Sequence, residues 1–215
     1  MKPVIYHGTP QTPNAAFDAV MPGRAACVSF YRPDQIERAE LHCPLIMLDN
    51  GAYSFWKQAR AKGKEFDEQE RDWRPFYDWV APRLEVAGRW AVIPDRPGAP
   101  SQMNDALLND WPFGPELGAP LWHMNGPVSR LLRLCETYSR VCIGWVGEFD
   151  AATGKIRKDE ENVGCDAWYR KMDEVAAAFG NVWPDTHMMR GVAVAGDYPF
   201  PQRGQHQPRA ERLEA

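Results

Sequence analysis

Leu45-Ile46-Met47-Leu48-Asp49-Asn50-Gly51-Ala52-Tyr53 carries four apolar residues straight into an acid, an amide and a glycine. A short apolar run bounded by turn residues reads as a buried strand. An acid at its carboxyl end stands where parallel α/β proteins keep their working groups. Six further runs have strand character: residues 4–6, 26–30, 90–95, 120–124, 141–146 and 187–194. Between them, helical spacing covers residues 66–80, 101–111, 127–138 and 165–179. Pro75 is expected to kink or split the first of these. Ser101 is read as a cap, Pro127 as a first-turn residue and Gly180 as a stop signal.

Strands alternating with helices predict βαβ units and a parallel sheet. Seven strands fit either a TIM-type (β/α) barrel lacking one strand or an open doubly wound sheet. Residues 149–164 are charged and read as a long loop. Residues 201–215 show almost no apolar periodicity. The predicted organisation is therefore one barrel domain over residues 1–200 and an irregular tail over 201–215.

The chain has 215 residues, a net charge of −4 and 44% hydrophobic residues. That is a globular composition, and it excludes nucleic-acid binding by bulk charge alone. A local basic track would draw on Arg32, Arg190, Arg203 and Arg209, although such residues usually form a solvated surface. No apolar run is long enough to span a bilayer and no signal-peptide pattern opens the chain, so a cytoplasmic, non-membrane protein is expected. The five cysteines are odd in number and lack C-x-x-C spacing. They read as reduced thiols. His42 and Cys43 have no second ligand pair nearby, and neither a metal nor a cofactor is predicted.

Polar groups gather at the strand ends. Asp49, Asn50, Gly51 and Tyr53 follow the third run and Asp95 ends the fourth. His123 ends the fifth, and Gly144, Trp145 and Glu148 lie at or past the end of the sixth. One strand-end aspartate is as readily a helix cap or turn residue as a functional group. Two on neighbouring strands suggest divided labour, one exchanging protons and the other binding donors of a ligand. Gly51 and Gly144 would relieve backbone strain or admit a flat ring to the backbone. His123 reads as a proton shuttle or a structural histidine. Tyr53 and Trp145 read as core aromatics before stacking platforms, and Trp56, Trp73, Trp79 and Trp90 as packing residues.

Leu48-Asp49-Asn50-Gly51-Ala52-Tyr53 resembles the D-S-G-G-F/Y segment of tRNA-guanine transglycosylases. Ile143-Gly144-Trp145-Val146-Gly147-Glu148 is similar to a shortened form of their glycine-rich G-G-L-A-V-G-E segment. Ile93-Pro94-Asp95 resembles the strand end whose aspartate binds the purine. Tyr6-His7-Gly8-Thr9-Pro10, Ser29-Phe30-Tyr31-Arg32-Pro33-Asp34 and His187-Met188-Met189-Arg190-Gly191 are similar to stretches of the short phage and bacterial relatives, some of which insert 7-deazaguanine bases into DNA. The resemblance covers roughly residues 4–200. It implies a barrel that exchanges a purine in nucleic acid, DNA ahead of tRNA, through a covalent sugar–enzyme intermediate on an aspartate. It also implies that Asp49 is the acid/base residue, that Asp95 binds the polar edge of the base, and that Gly144 and Trp145 offer it backbone contacts. The larger tRNA enzymes carry a zinc site for which this chain has no matching cysteines.

In the short relatives, a Y-P-F stretch precedes an S-x-D-S-T-N segment whose aspartate is the nucleophile. Here Tyr198-Pro199-Phe200 runs into Pro201-Gln202-Arg203, and no aspartate follows Asp197. With suitable synonymous codons, residues 202–212 read one base later restore the motif, which suggests a frame slip that the gene sequence tests. The resulting expectations are a barrel with two open edges, pairing of copies through them, and weak or absent exchange. Asp197 is a poor substitute nucleophile because it precedes the Y-P-F stretch. Two alternatives to exchange are a binding module for nucleobase or nucleic acid, and an N-glycosidic hydrolase using Asp49 and Asp95 as a carboxylate pair.

Overall fold

The computed structural model describes residues 4–62, 71–97, 99, 101–147, 162–194 and 196–200. Its strand segments are β1 (Tyr6–Gly8), β2 (Ala25–Ser29), β3 (Leu45–Asp49), β4 (Arg89–Val92), β5 (Gly118–Ala119), β6 (Leu121–His123), β7 (Val141–Gly144) and β8 (Thr186–Met188). The helices α1 (Asn14–Val20) and α2 (Ile36–His42) follow β1 and β2. α3 (Ala52–Ala61) and α4 (Arg74–Leu84) separate β3 from β4, and α5 (Ser101–Asn109) separates β4 from β5. α6 (Val128–Thr137) and α7 (Asp166–Phe179) precede β7 and β8.

The protein is a mixed α/β structure in which every strand pairing is parallel. β1 to β5 form one sheet in sequence order, and β6, β7 and β8 form a second. Pro120 joins the two. It has no N–H to donate, so the strand is interrupted there, yet its carbonyl still accepts from Cys142 N at 2.8 Å. The chain thereby pairs with β4 before Pro120 and with β7 after it.

Alternation along each strand sorts the side chains into layers. On β3, Ile46 and Leu48 pack in a buried cluster with residues of the first four helices, whereas Met47 joins a different cluster. On β7, Val141 and Ile143 pack with Leu131, Leu134, Trp168 and Met172 of α6 and α7, whereas Cys142 turns the other way. The second set of strand residues meets in one place. Tyr6, Cys27, Met47, Trp90, Val92, Ala119, Leu121 and Cys142 pack together with Met189. Tyr6 of β1 also lies edge-on to His187 of β8, with ring centroids 5.4 Å apart. The strand array therefore curls until residues of its first and last members touch. β1 and β8 remain its edges, with no ladder between them among the described residues.

Several expectations need correction. The run 187–194 is not one strand: β8 ends at Met188, and Val192–Val194 is a 3-10 turn. The left-handed backbone of Arg190 (φ 60°) breaks the extension. Of the predicted helix 66–80, residues 66–70 lie outside the described residues. Its visible part begins at Arg74, so Pro75 sits in the first turn of α4 and produces no kink. Pro127 is the residue before α6, and Cys165 caps α7 by accepting from Trp168 N at 3.4 Å. The helices α1 and α2, only seven residues each, and α3 were not anticipated. The tail 201–215 and most of the predicted loop 149–164 fall outside the described residues. No helix among the described residues is long and apolar enough to cross a membrane.

Candidate functional site

Because Asp49 shares the parity of Met47, it points to the concave side of the sheet, at the carboxyl end of β3. Asp95, His123 and Gly144 reach the same side from the ends of β4, β6 and β7. All four line a cavity of about 430 Å³, together with Asn50, Tyr53, Trp145, His187 and Arg190. Thus every predicted site residue in the described chain except Gly51 lines this cavity. Glu148 lies outside the described residues.

Asp95 is the most enclosed of the acids, at 4% exposure. One carboxylate oxygen accepts from Asn50 Nδ2 at 2.9 Å, and the other faces His123 Nε2 at 2.9 Å. Asn50 also donates to the Ile93 carbonyl at 2.8 Å and accepts from Ala52 N at 2.7 Å. Both ends of its amide are therefore occupied in tying β3 to β4 and starting α3. Sequence reasoning missed Asn104, which is buried beneath the pair. Its Oδ1 accepts from Arg96 N at 2.7 Å, which fixes the amide orientation and turns Nδ2 toward His123 Nδ1 at 3.4 Å. A neutral imidazole fits these two neighbours with its N–H on Nε2, donating to Asp95, and with Nδ1 accepting from Asn104.

Asp49 keeps part of its surface open. Burial raises its pKa to about 6, the neighbouring Asp95 charge adds to the rise, and hydrogen bonds from Ser29 and from Gly51 N (3.1 Å) moderate it. Such a carboxyl exchanges protons near neutral pH. Ser29, also missed, sits at the end of β2 with the parity of Cys27, the signal that could have found it. Burial, reinforced by the Asp49 charge, pushes the Cys27 thiol well up, and burial does the same for Cys142. Neither is a thiolate nucleophile at neutral pH.

Gly51 acts through its backbone. It has φ +78°, and an added Cβ would lie 2.9 Å from both Tyr31 Cβ and Tyr31 N. Gly51→Ala is expected to lower folding stability by about 1–3 kcal/mol, since strain and overlap with fixed backbone combine. A chemical-denaturation midpoint equal to that of the parent would show that the turn relaxes freely.

Arg190 governs the mouth. Its guanidinium lies 4.3 Å from the centre of the Tyr53 ring, donates to Tyr53 Oη at 3.0 Å and donates to the Trp145 carbonyl. That carbonyl, expected to meet a base, is thus already engaged, and the Trp145 indole packs among α6 and α7 side chains. Gly144 leaves room: a Cβ there would approach Leu121 Cδ2 to 3.1 Å. At the far end, burial and then Arg140 lower the His187 pKa to about 4, and Arg140 pairs with Asp185 at 3.2 Å.

The remaining candidates lie elsewhere. Asp197 accepts from Tyr169 Oη at 2.6 Å and does not line the cavity. Arg32 forms an exposed pair with Asp34 at 2.8 Å. Arg203 and Arg209 lie outside the described residues. Trp73 and Trp90 are buried, and Trp56 lies tilted against Tyr53 at 5.6 Å.

Comparison of the chain with protein-family models, curated proteins and solved structures finds no match.

Proposed function

We propose that this chain is a (β/α) barrel lacking its last strand, with β5 and β6 counting as one strand interrupted at Pro120, that binds a purine or 7-deazapurine base and takes part in exchanging it in nucleic acid, DNA ahead of tRNA. The observation that carries the reading is the convergence of Asp49, Asp95 and His123 in one cavity of about 430 Å³ at the carboxyl ends of parallel strands. That volume falls in the range of small-ligand sites, roughly 300–1,000 Å³. The barrel reading draws support from the interior cluster to which β1 to β7 contribute, together with Met189 just after β8, and from the contact of Tyr6 on β1 with His187 on β8. The unpaired edges of β1 and β8 are where a second copy would add.

In this reading Asp95 accepts hydrogen bonds from the base. Each of its oxygens already holds one protein donor and retains a second lone pair. Asp49 protonates the departing base and takes a proton from the incoming one. The exchange requires a second carboxylate to hold the sugar. A specific observation also favours binding without chemistry. Among the described residues, Asp95 is held by Asn50 and His123, Asp185 is paired with Arg140, and Asp197 lies off the cavity. Asp49 alone is then available for covalent work.

The test is incubation with DNA or tRNA and labelled guanine or a labelled 7-deazaguanine. Label entering the polymer supports exchange, and it should disappear in Asp49→Asn. Saturable base binding without incorporation supports the binding module. Free base released from the polymer supports a hydrolase. No binding and no label transfer would end the proposal.

A further inference from the structure

The helix α3 begins at the mouth of the Asp49–Asp95 cavity. Gly51 precedes its first residue, and Tyr53 and Ser54 of its first turn line the cavity wall. It packs inward through Ala52, fully buried, and Phe55, whose ring meets Tyr31 edge-on at 4.8 Å. Tyr53, Trp56, Lys57 and Arg60 fall at i, i+3, i+4 and i+7 and share another face. Tyr53 and Trp56 are partly exposed there, and Lys57 and Arg60 are exposed. Rings and guanidiniums form one series along it. Arg190 lies 4.3 Å from the centre of the Tyr53 ring, Tyr53 and Trp56 stand 5.6 Å apart at 38°, and Arg60 lies 4.7 Å from the centre of the Trp56 ring. From Tyr53 to Arg60 the face runs outward for about 10 Å, at about 1.5 Å per residue.

Charge on this face is one-sided. The exposed arginines 32, 38 and 74 are each paired with an aspartate. Lys57, Arg60 and Lys62, just past the helix, make no hydrogen bond or ion pair among the described residues. The sequence has no acid between Asp49 and Glu65, in a chain of net charge −4.

We propose that this face of α3 docks the single-stranded DNA flanking the nucleotide whose base enters the Asp49–Asp95 cavity. The inference rests on the base-exchange reading, which places DNA ahead of RNA. A base in a duplex reaches such a cavity only by leaving its stack, so its neighbours need a platform of their own. Aromatic faces accept any base, and cations beside them track the phosphates. The face is as long as about three stacked nucleotides at about 3.4 Å each. An arriving base takes the ring face of Trp56 that Arg60 now covers, and the freed guanidinium meets the adjoining phosphate. An acidic peptide would use the cations and leave the rings idle.

The test is the anisotropy of a short labelled oligothymidylate, titrated with the whole chain at several salt concentrations. Contacts from Lys57, Arg60 and Lys62 predict a slope of about −2 in log K against log salt. Lys57→Gln and Arg60→Gln should each reduce that slope by about 0.7. Trp56→Leu should weaken binding roughly tenfold without changing the slope, and Trp56→Phe should restore most of it. Free guanine, titrated against the same proteins, separates this surface from the cavity, and should bind all of them as it binds the parent. Oligothymidylate held through α3 with no guanine binding would support the surface and overturn the cavity reading. Guanine binding without oligothymidylate binding would overturn the surface alone. So would equal oligothymidylate affinity in the parent, Arg60→Gln and Trp56→Leu, or polyglutamate competing as strongly as the oligonucleotide. Tighter binding of an oligouridylate of the same length would overturn DNA as the partner.

Discussion

Asp95→Ala is expected to abolish base binding and to lower folding stability by about 3 kcal/mol. Two losses add up. Asn50 keeps its bond to the Ile93 carbonyl but loses its carboxylate, and His123 is left with an imidazole N–H aimed at an empty space. A buried donor stripped of its acceptor costs about 1–3 kcal/mol, and here two are stripped at once. Asp95→Asn is the informative companion. An asparagine offers one oxygen and one NH2, so it satisfies either Asn50 or His123 but sets a donor against the other. Reversing the imidazole tautomer does not help, since Nδ1–H would then meet the Asn104 NH2 group. Equilibrium titration with a purine and urea unfolding read the two effects separately. An Asp95→Ala protein that binds the base with parent affinity would remove Asp95 from the site.

Asp49→Asn should make the protein more stable while removing its acid/base chemistry. The carboxyl pKa is raised from 3.8 to about 6 in the folded state, with burial the chief cause. A raised pKa means that the folded protein holds the proton more tightly than the unfolded chain. The stability this contributes is complete below about pH 4 and is lost as the pH rises through 6. At pH 8 the ionised, buried carboxylate therefore costs up to about 3 kcal/mol. An asparagine cannot ionise, so the variant should gain much of that at pH 8 and nothing at pH 3. His187 works in the opposite direction. Its pKa is lowered to about 4, so its contribution is complete above about pH 6.5 and is lost as the pH falls through 4. In the parent the two slopes oppose each other between pH 4 and 6. In Asp49→Asn only the histidine slope remains, so stability should fall more steeply on acidification. Urea midpoints at pH 3, 5 and 8 test this. A variant no more stable than the parent at pH 8 would show that the Asp49 carboxylate is comfortably solvated.

The strand ends were legible because alternation is a local property. From Leu45-Ile46-Met47-Leu48-Asp49 alone, Asp49 must face opposite to Leu48, whatever the sheet does next. The same holds for His123 and Gly144, which share the parity of the inward-facing Leu121 and Cys142; Asp95 shares the parity of Ala91 and Ile93, which pack on the helix side, and reaches the cavity only because β4 ends at Val92 and the chain leaves the pleat. Less was legible where the signal was short or local chemistry was absent. The seven-residue helices α1 and α2 offer barely two turns of periodicity, too few for a helical pattern to stand out. The run 187–194 looked extended because nothing in the residue type of Arg190 announces a left-handed backbone.

The partners of each group were beyond sequence reading. Asn50 meets Asp95 across 45 residues of chain, and Arg190 meets Tyr53 across 137. Asn104 is a polar residue on a helix with no local cue that it supports His123. By itself, the sequence determined that the acids follow the carboxyl ends of apolar runs and, for Asp49, which face of the strand it occupies, since both follow from spacing along one backbone. Only the tertiary structure decided that Asp95 is held by Asn50 and His123, and that burial leaves Asp49 near a pKa of 6. Those outcomes depend on how far the sheet curls and on what the curl brings within hydrogen-bond distance.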